Sequence, residues 1–141
     1  MRIVVTILLA AAAVFATACE IPVIQSQDCA AAQIAVREFY SYHFDGDMSI
    51  NAKELERLQK YMTPDSAKQL EGTETENDIF TTNSADHPKA FRIGACKIRE
   101  PDTAVLTVLL FWRSDERTEQ QEINVEAKKI DGKWLFNKVI R

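Results

Sequence analysis

Residues 103–113, TAVLTVLLFWR, are apolar on both alternating faces. Val105, Leu109 and Phe111 fall on one, and Leu106, Val108, Leu110 and Trp112 on the other. A short run so rich in Val, Leu and aromatic residues reads as a strand. A strand apolar on both sides is expected at the centre of a sheet, covered at least in part on each face. It therefore needs partners along both edges, and the flanking sequence supplies them. From Lys89 to about Arg99 the pattern alternates, with Phe91, Ile93 and Ala95 facing one way, and Pro101-Asp102 makes the turn into the central strand. Ser114-Asp115-Glu116 turns the chain again. Glu119 to Lys129 then sets Gln121, Ile123, Val125 and Ala127 against a polar face of Gln120, Glu122, Asn124, Glu126 and Lys128. Asp131-Gly132 is a two-residue hairpin signal leading to a last strand, Lys133 to Arg141.

Before Lys89 the period is helical. Ala32, Ala35, Val36, Phe39, Tyr40 and His43 form one stripe over Cys29–Phe44, with Asp28 as the expected N-cap and Asp45-Gly46-Asp47 as the stop. A second helix is expected from Asn51 to Tyr61, with Leu55, Leu58 and Met62 inward. Thr63 caps a third, with Pro64 at its first position, and Gly72 closes it. Segments 71–76 and 83–88 are polar loops. Three helices followed by a four-stranded antiparallel meander predict an α+β domain, its helices packed on one face of a curved sheet.

The 141 residues suit one such domain. With 46% hydrophobic and 27% charged residues the chain is neither disordered nor collagen-like. A net charge of −4 argues against nucleic-acid binding, which calls for a basic face.

The first eighteen residues read as an export signal. Arg2 precedes an apolar run from Ile3 to Phe15 that is too short to span a bilayer, and Ala16-Thr17-Ala18 supplies small residues before Cys19. The arrangement fits an A-x-A cleavage site and resembles the bacterial lipobox, which implies a lipid on Cys19 and attachment to the envelope membrane. Ordinary secretion is the alternative, and an uncleaved anchor a third. Removing residues 1–18 leaves 16 basic and 21 acidic residues, a charge of −5, so any membrane attachment rests on the acyl chains. Residues 19–28 look like a tether and 29–141 like the domain. With Cys19 lipidated, Cys29 and Cys96 remain as an even pair in an oxidising compartment, either a disulfide or two buried thiols.

Several stretches together resemble the nuclear transport factor 2-like superfamily. They are Val36-Arg37-Glu38-Phe39-Tyr40, Met62-Thr63-Pro64 and the closing hairpin from Lys129 to Val139. The segment DIFTTNSADHPKAFRIGACKI, through Asp78, Phe80, Thr81, Asp86, Pro88, Phe91 and Cys96, resembles an exported bacterial branch, domain of unknown function 3828. The resemblance implies a cone-shaped α+β (cystatin-like) fold and an exported location. It implies no established activity and carries over no catalytic residue.

Chemistry-bearing patterns are sparse. His43 to Glu54 can be laid on a calcium loop, but position one is His43 and the turn glycine is replaced by Met48, so no metal site is expected. There is no G-x-S-x-G, no H-E-x-x-H and, with four glycines in all, no phosphate-cradling loop, so no cofactor is expected. Enzymes of the resembled superfamily place polar groups inside the cone, where Tyr40 and His43, with Asn137 and Arg92 on strands, are the candidates. A lone His closing an apolar stripe is more often a core residue. The aromatic residues Phe39, Tyr40, Phe111, Trp112, Trp134 and Phe136 could line a cavity for a small apolar ligand or fill the core. Trp112 could mark an exposed partner or homodimer surface. The leading expectation is a non-enzymatic, lipid-anchored binding domain for a protein partner or small apolar ligand. An envelope inhibitor or immunity-type protein, and a small hydrolase or isomerase, are the rivals.

Overall fold

The computed structural model describes residues 25–113 and 118–141. The leader, Cys19, most of the expected tether and the turn at Ser114-Asp115-Glu116 lie outside these residues. Three helices, α1 (Gln27–Phe44), α2 (Ala52–Leu58) and α3 (Pro64–Gln69), precede four strands, β1 (Ala90–Glu100), β2 (Thr103–Arg113), β3 (Thr118–Ile130) and β4 (Lys133–Ile140). The strands form one antiparallel sheet in the order β1-β2-β3-β4. A helix-on-sheet α+β domain with a meander is therefore what the chain forms.

α1 begins earlier than its stripe implied. Ser26, not Asp28, is the N-cap, its hydroxyl accepting from the Cys29 amide at 3.1 Å, so Gln27 and Asp28 belong to the helix rather than to a tether. Asp28 lies in the first turn, where its charge suits the positive end of the helix dipole. Asn51 caps α2, which tightens into a 3₁₀ turn at Gln59–Tyr61. Thr63 caps α3 as expected, with Pro64 in the first turn. The Thr63 amide donates to the Phe136 carbonyl at 2.8 Å, so residues 62–63 lie against the outer edge of β4.

One irregularity in β1 decides much of the geometry. The β1–β2 register slips between Ile93 and Cys96, and beyond this bulge Cys96 and Ile98 pack on the core, whereas Ala95 is exposed. The expectation that Ala95 shares a face with Phe91 and Ile93 is thus corrected, because a bulge inserts an extra residue and exchanges the faces that follow. Gly94 sits in the bulge, where an added Cβ would lie 3.3 Å from Thr107. The exchange turns Cys96 toward Cys29, and the two sulfurs meet at 2.07 Å with Cα atoms 5.7 Å apart, a disulfide-compatible pair.

The core lies between α1 and the sheet face bearing Ala104, Leu106, Val108, Leu110 and Trp112. β2 is not covered on both faces as its composition suggested. The helices take the Leu106 side, while Val105, Leu109 and Phe111 remain half-buried on the other, outside the core cluster.

Candidate functional site

The strongest polar constellation sits under α1. Tyr40 and His43, one helical turn apart on the buried stripe, are both 0% exposed. The loop after α3 folds over them through Asp78, which is also fully buried. Asp78 organises a tight turn. Its Oδ1 accepts from the Phe80 amide at 3.0 Å, its Oδ2 from the Thr81 hydroxyl at 2.7 Å, and its carbonyl from the Asn83 amide at 2.8 Å. Asn83 adopts φ 57°, a left-handed conformation that asparagine tolerates. Into this turn His43 Nε2 donates a 2.8 Å hydrogen bond to Asp78 Oδ1. Nearby, the Tyr40 hydroxyl donates to the Phe80 carbonyl at 2.7 Å. Burial, and secondarily the Asp78 charge, hold the Tyr40 phenol well above its ordinary 10.0, so it stays a donor.

The Asp78 carboxylate fixes the orientation of the His43 imidazole. Among the described residues His43 Nδ1 has no hydrogen-bond partner, and the ring is flanked by Phe39 in parallel at 6.0 Å and Phe80 edge-on at 5.2 Å. The rings of Phe39 and Phe136 stack at 3.9 Å, with Phe80 and Tyr40 edge-on within 5.8 Å. These aromatics pack against one another in the core. A small cavity of about 130 Å³ lies beyond Phe80, lined by Met62, Ser66, Ile79, Asn137 and Arg141 among others, and neither Tyr40 nor His43 reaches it. The pair therefore works as a latch between helix and loop.

The other candidate residues are dispersed. Trp112 is buried in the single chain at 5% exposure, its indole donating to the Asp86 carbonyl at 3.0 Å, so the expectation that it marks an open face is corrected. Its ring borders a cleft of about 590 Å³ with Lys89, Phe111 and Arg113. Trp134 is also buried. Its indole and the Lys129 ammonium both donate to Asp28 Oδ1, at 3.3 and 2.8 Å, and these bonds hold the Asp28 carboxyl below its ordinary 3.8. Cys29 and Cys96 pin the same first turn of α1 to β1 and border a groove of about 500 Å³.

Asn137 serves structure: its Oδ1 accepts from Thr63 at 2.7 Å and from Ser66 at 3.1 Å, and its Nδ2 donates to Glu126 at 2.6 Å. Arg92 is exposed on β1, opposite Leu109 of β2. In the region of the calcium-like spacing, Asp47 accepts from the Ser49 amide and hydroxyl, and Glu54 pairs with Arg57. No group of three or more metal-ligating side chains occurs among the described residues. Sequence reasoning named His43 as a candidate but not its partner, Asp78. The signal was local, an Asp followed by Phe80 and Thr81 in a turn.

Among the described residues, no helix is long and apolar enough to cross a membrane. No family model matches the chain, and no curated protein matches it. A solved structure from Bacteroides thetaiotaomicron, of a protein of unknown function, aligns over 81% of this chain and 92% of its own at 15% identity, with a TM-score of 0.48.

Proposed function

We propose that this chain is an exported, lipid-anchored envelope domain of the nuclear transport factor 2-like kind that binds a protein partner and performs no chemistry of its own. The observation that carries the reading is the row Val105, Leu109 and Phe111, half-buried on the sheet face away from the helices. A face left to water is normally polar, and this one offers only Thr103 and Thr107 beside three large apolar side chains. The packed aromatic interior weighs against a small apolar ligand inside the cone. The enclosure of His43 and Tyr40 weighs against the hydrolase or isomerase alternative in the same way. Export and the anchor rest on the leader and on Cys19, and a disulfide between Cys29 and Cys96 fits the same compartment.

The test is a photo-reactive phenylalanine analogue placed in the full chain at Leu109, with Ile34 on the exposed side of α1 as control, and irradiated in the native envelope. A protein adduct of discrete mass at position 109 and not at 34 is expected. Equal adducts at both positions, or none at 109, overturn the reading.

A further inference from the structure

The sulfurs of Cys29 and Cys96 meet beside a groove of about 500 Å³ that runs between the start of α1 and β1, and their surroundings differ. Cys29 is 5% exposed, whereas Cys96, on an edge strand of the sheet, is only half-buried. Cys29 lies in the first turn of α1, a helix of 18 residues, and Cys96 lies within β1. A thiolate freed in the first turn of a helix is stabilised by the positive end of the dipole, and one freed in a strand is not. The charge of the neighbouring Asp28 is taken up by the Lys129 ammonium at 2.8 Å. This turn is also held to the sheet without the sulfurs. Asp28 accepts from Lys129 on β3 and Trp134 on β4, and Gln33 Nε2 donates to the Gly94 carbonyl on β1 at 2.8 Å. None of the residues lining the groove carries a charge, so neither an anionic nor a cationic molecule is turned away.

We infer that this disulfide is an exchange site for a small peptide thiol, which attacks Cys96 and releases Cys29. Exchange needs a thiolate to reach one sulfur of the pair, and it is faster the better the other sulfur leaves. Both conditions select the same direction here, since Cys96 is the more open residue and Cys29 the better-stabilised leaving group. In the first step the incoming sulfur bonds to Cys96 Sγ, the bond between the two cysteine sulfurs breaks, and its electron pair stays on Cys29 as a thiolate. No net oxidation occurs. A second thiol then attacks the incoming sulfur of the mixed disulfide, which yields a peptide disulfide and two protein thiols, the two small thiols supplying both electrons. Cys29 can instead return to Cys96 Sγ and expel the first thiol, because the bonds of Asp28 and Gln33 keep the first turn in place. The groove has a volume within the roughly 300–1,000 Å³ of small-molecule sites. Its polar side chains, Gln25, Ser26 and Gln33, are neutral and suit the amide backbone of such a thiol, with Ala95 and Ile98 opposite. The exchange site is separate from the open sheet face and does not depend on what that face binds.

The test uses the full chain, purified from its native envelope in mild detergent, with any free thiol first blocked by N-ethylmaleimide. Reduced glutathione is added in native buffer and the reaction is stopped with acid at early times. Released thiols are alkylated with a second reagent, and the peptides are mapped by mass. Glutathione on Cys96 with the second label on Cys29 is expected, in at least ~10-fold excess over the opposite arrangement. Ala95→Trp sets a ring into the groove from an exposed position and should slow the labelling at least ~10-fold, with an unchanged thermal melt. Should that variant melt earlier, the map of the native chain decides by itself. Equal adducts on the two cysteines, the mark of exchange through the unfolded chain, overturn the inference. So do an excess on Cys29, no adduct on either, a chain isolated with both thiols free, or a stably folded Ala95→Trp that reacts as fast as the native chain.

Discussion

His43 Nε2 donates to Asp78 Oδ1 across 2.8 Å, and this buried contact ties the end of α1 to a loop 35 residues away. Three donors converge on the Asp78 carboxylate, from His43, Phe80 and Thr81. The loop segment 78–81 is thereby held in place to cap the aromatic core with Phe80.

Removing that carboxylate strands all three donors in a dry site. Asp78→Ala is expected to lower the unfolding free energy by about 3–5 kcal/mol, as for one partner of a buried pair. Asp78→Asn, which keeps an acceptor oxygen, should lose less. Urea denaturation of the two variants beside the native chain measures both, and equal losses would contradict the assigned role.

Tyr40 should set the alkaline limit of stability. Its phenol lies well above 10.0 when folded, so the stability linked to it is fully present below pH 10 and is lost as pH rises toward the folded value. Tyr40→Phe forfeits the hydrogen bond to Phe80, about 1 kcal/mol at neutral pH, and should flatten the decline above pH 10. Thermal melts across that range give the comparison.

Acid should weaken the start of α1. Asp28 is held below 3.8 by Lys129 and Trp134, so its contribution is present above that pH and falls away as the pH drops through the folded value. Asp28→Asn should therefore lose less stability than the native chain between pH 5 and pH 3. A native chain and variant with parallel acid profiles would rule out this contact as the cause.

Cys29 and Cys96 enclose a long loop, with a sequence separation of 67. In the chain-entropy account a crosslink of that span contributes about 4 kcal/mol. Reduction, or the pair Cys29→Ser and Cys96→Ser, should shift the denaturation midpoint accordingly, and intact mass should rise by two hydrogens on reduction. The same mass measurement on protein from its native envelope should show a chain beginning at Cys19 with a diacylglycerol-sized increment.

Asn137 joins β4 to the cap of α3 and to Glu126. Asn137→Ala leaves Thr63 and Glu126 short of a partner, while the Ser66 hydroxyl keeps the residue-137 carbonyl, and should cost about 1–3 kcal/mol, with faster amide exchange confined first to α3.

Element order, helix stripe and strand alternation were legible from residues alone, because side-chain periods of 3.6 and 2 are imposed by local backbone geometry and do not depend on what lies opposite. The Thr63–Pro64 cap and the Asp131-Gly132 hairpin are short-range for the same reason, and Gly132 does take a positive φ, 78°. The start of α1 was misjudged because Ser26 and Asp28 are both good caps and only backbone conformation chooses between them.

Three features were decided by tertiary structure. A strand apolar on both sides does not say which side the helices will cover, and here α1 takes the Leu106 and Trp112 face and leaves Leu109 and Phe111 to the outside. The bulge at Gly94 exchanges the faces of β1, which no alternation count reveals, and it is this exchange that brings Cys96 to Cys29. His43 acquires Asp78 only when a loop distant in sequence closes over the helix. Periodicity carries the directions of side chains along each element, whereas cover, register slips and long-range polar pairs arise from how elements meet.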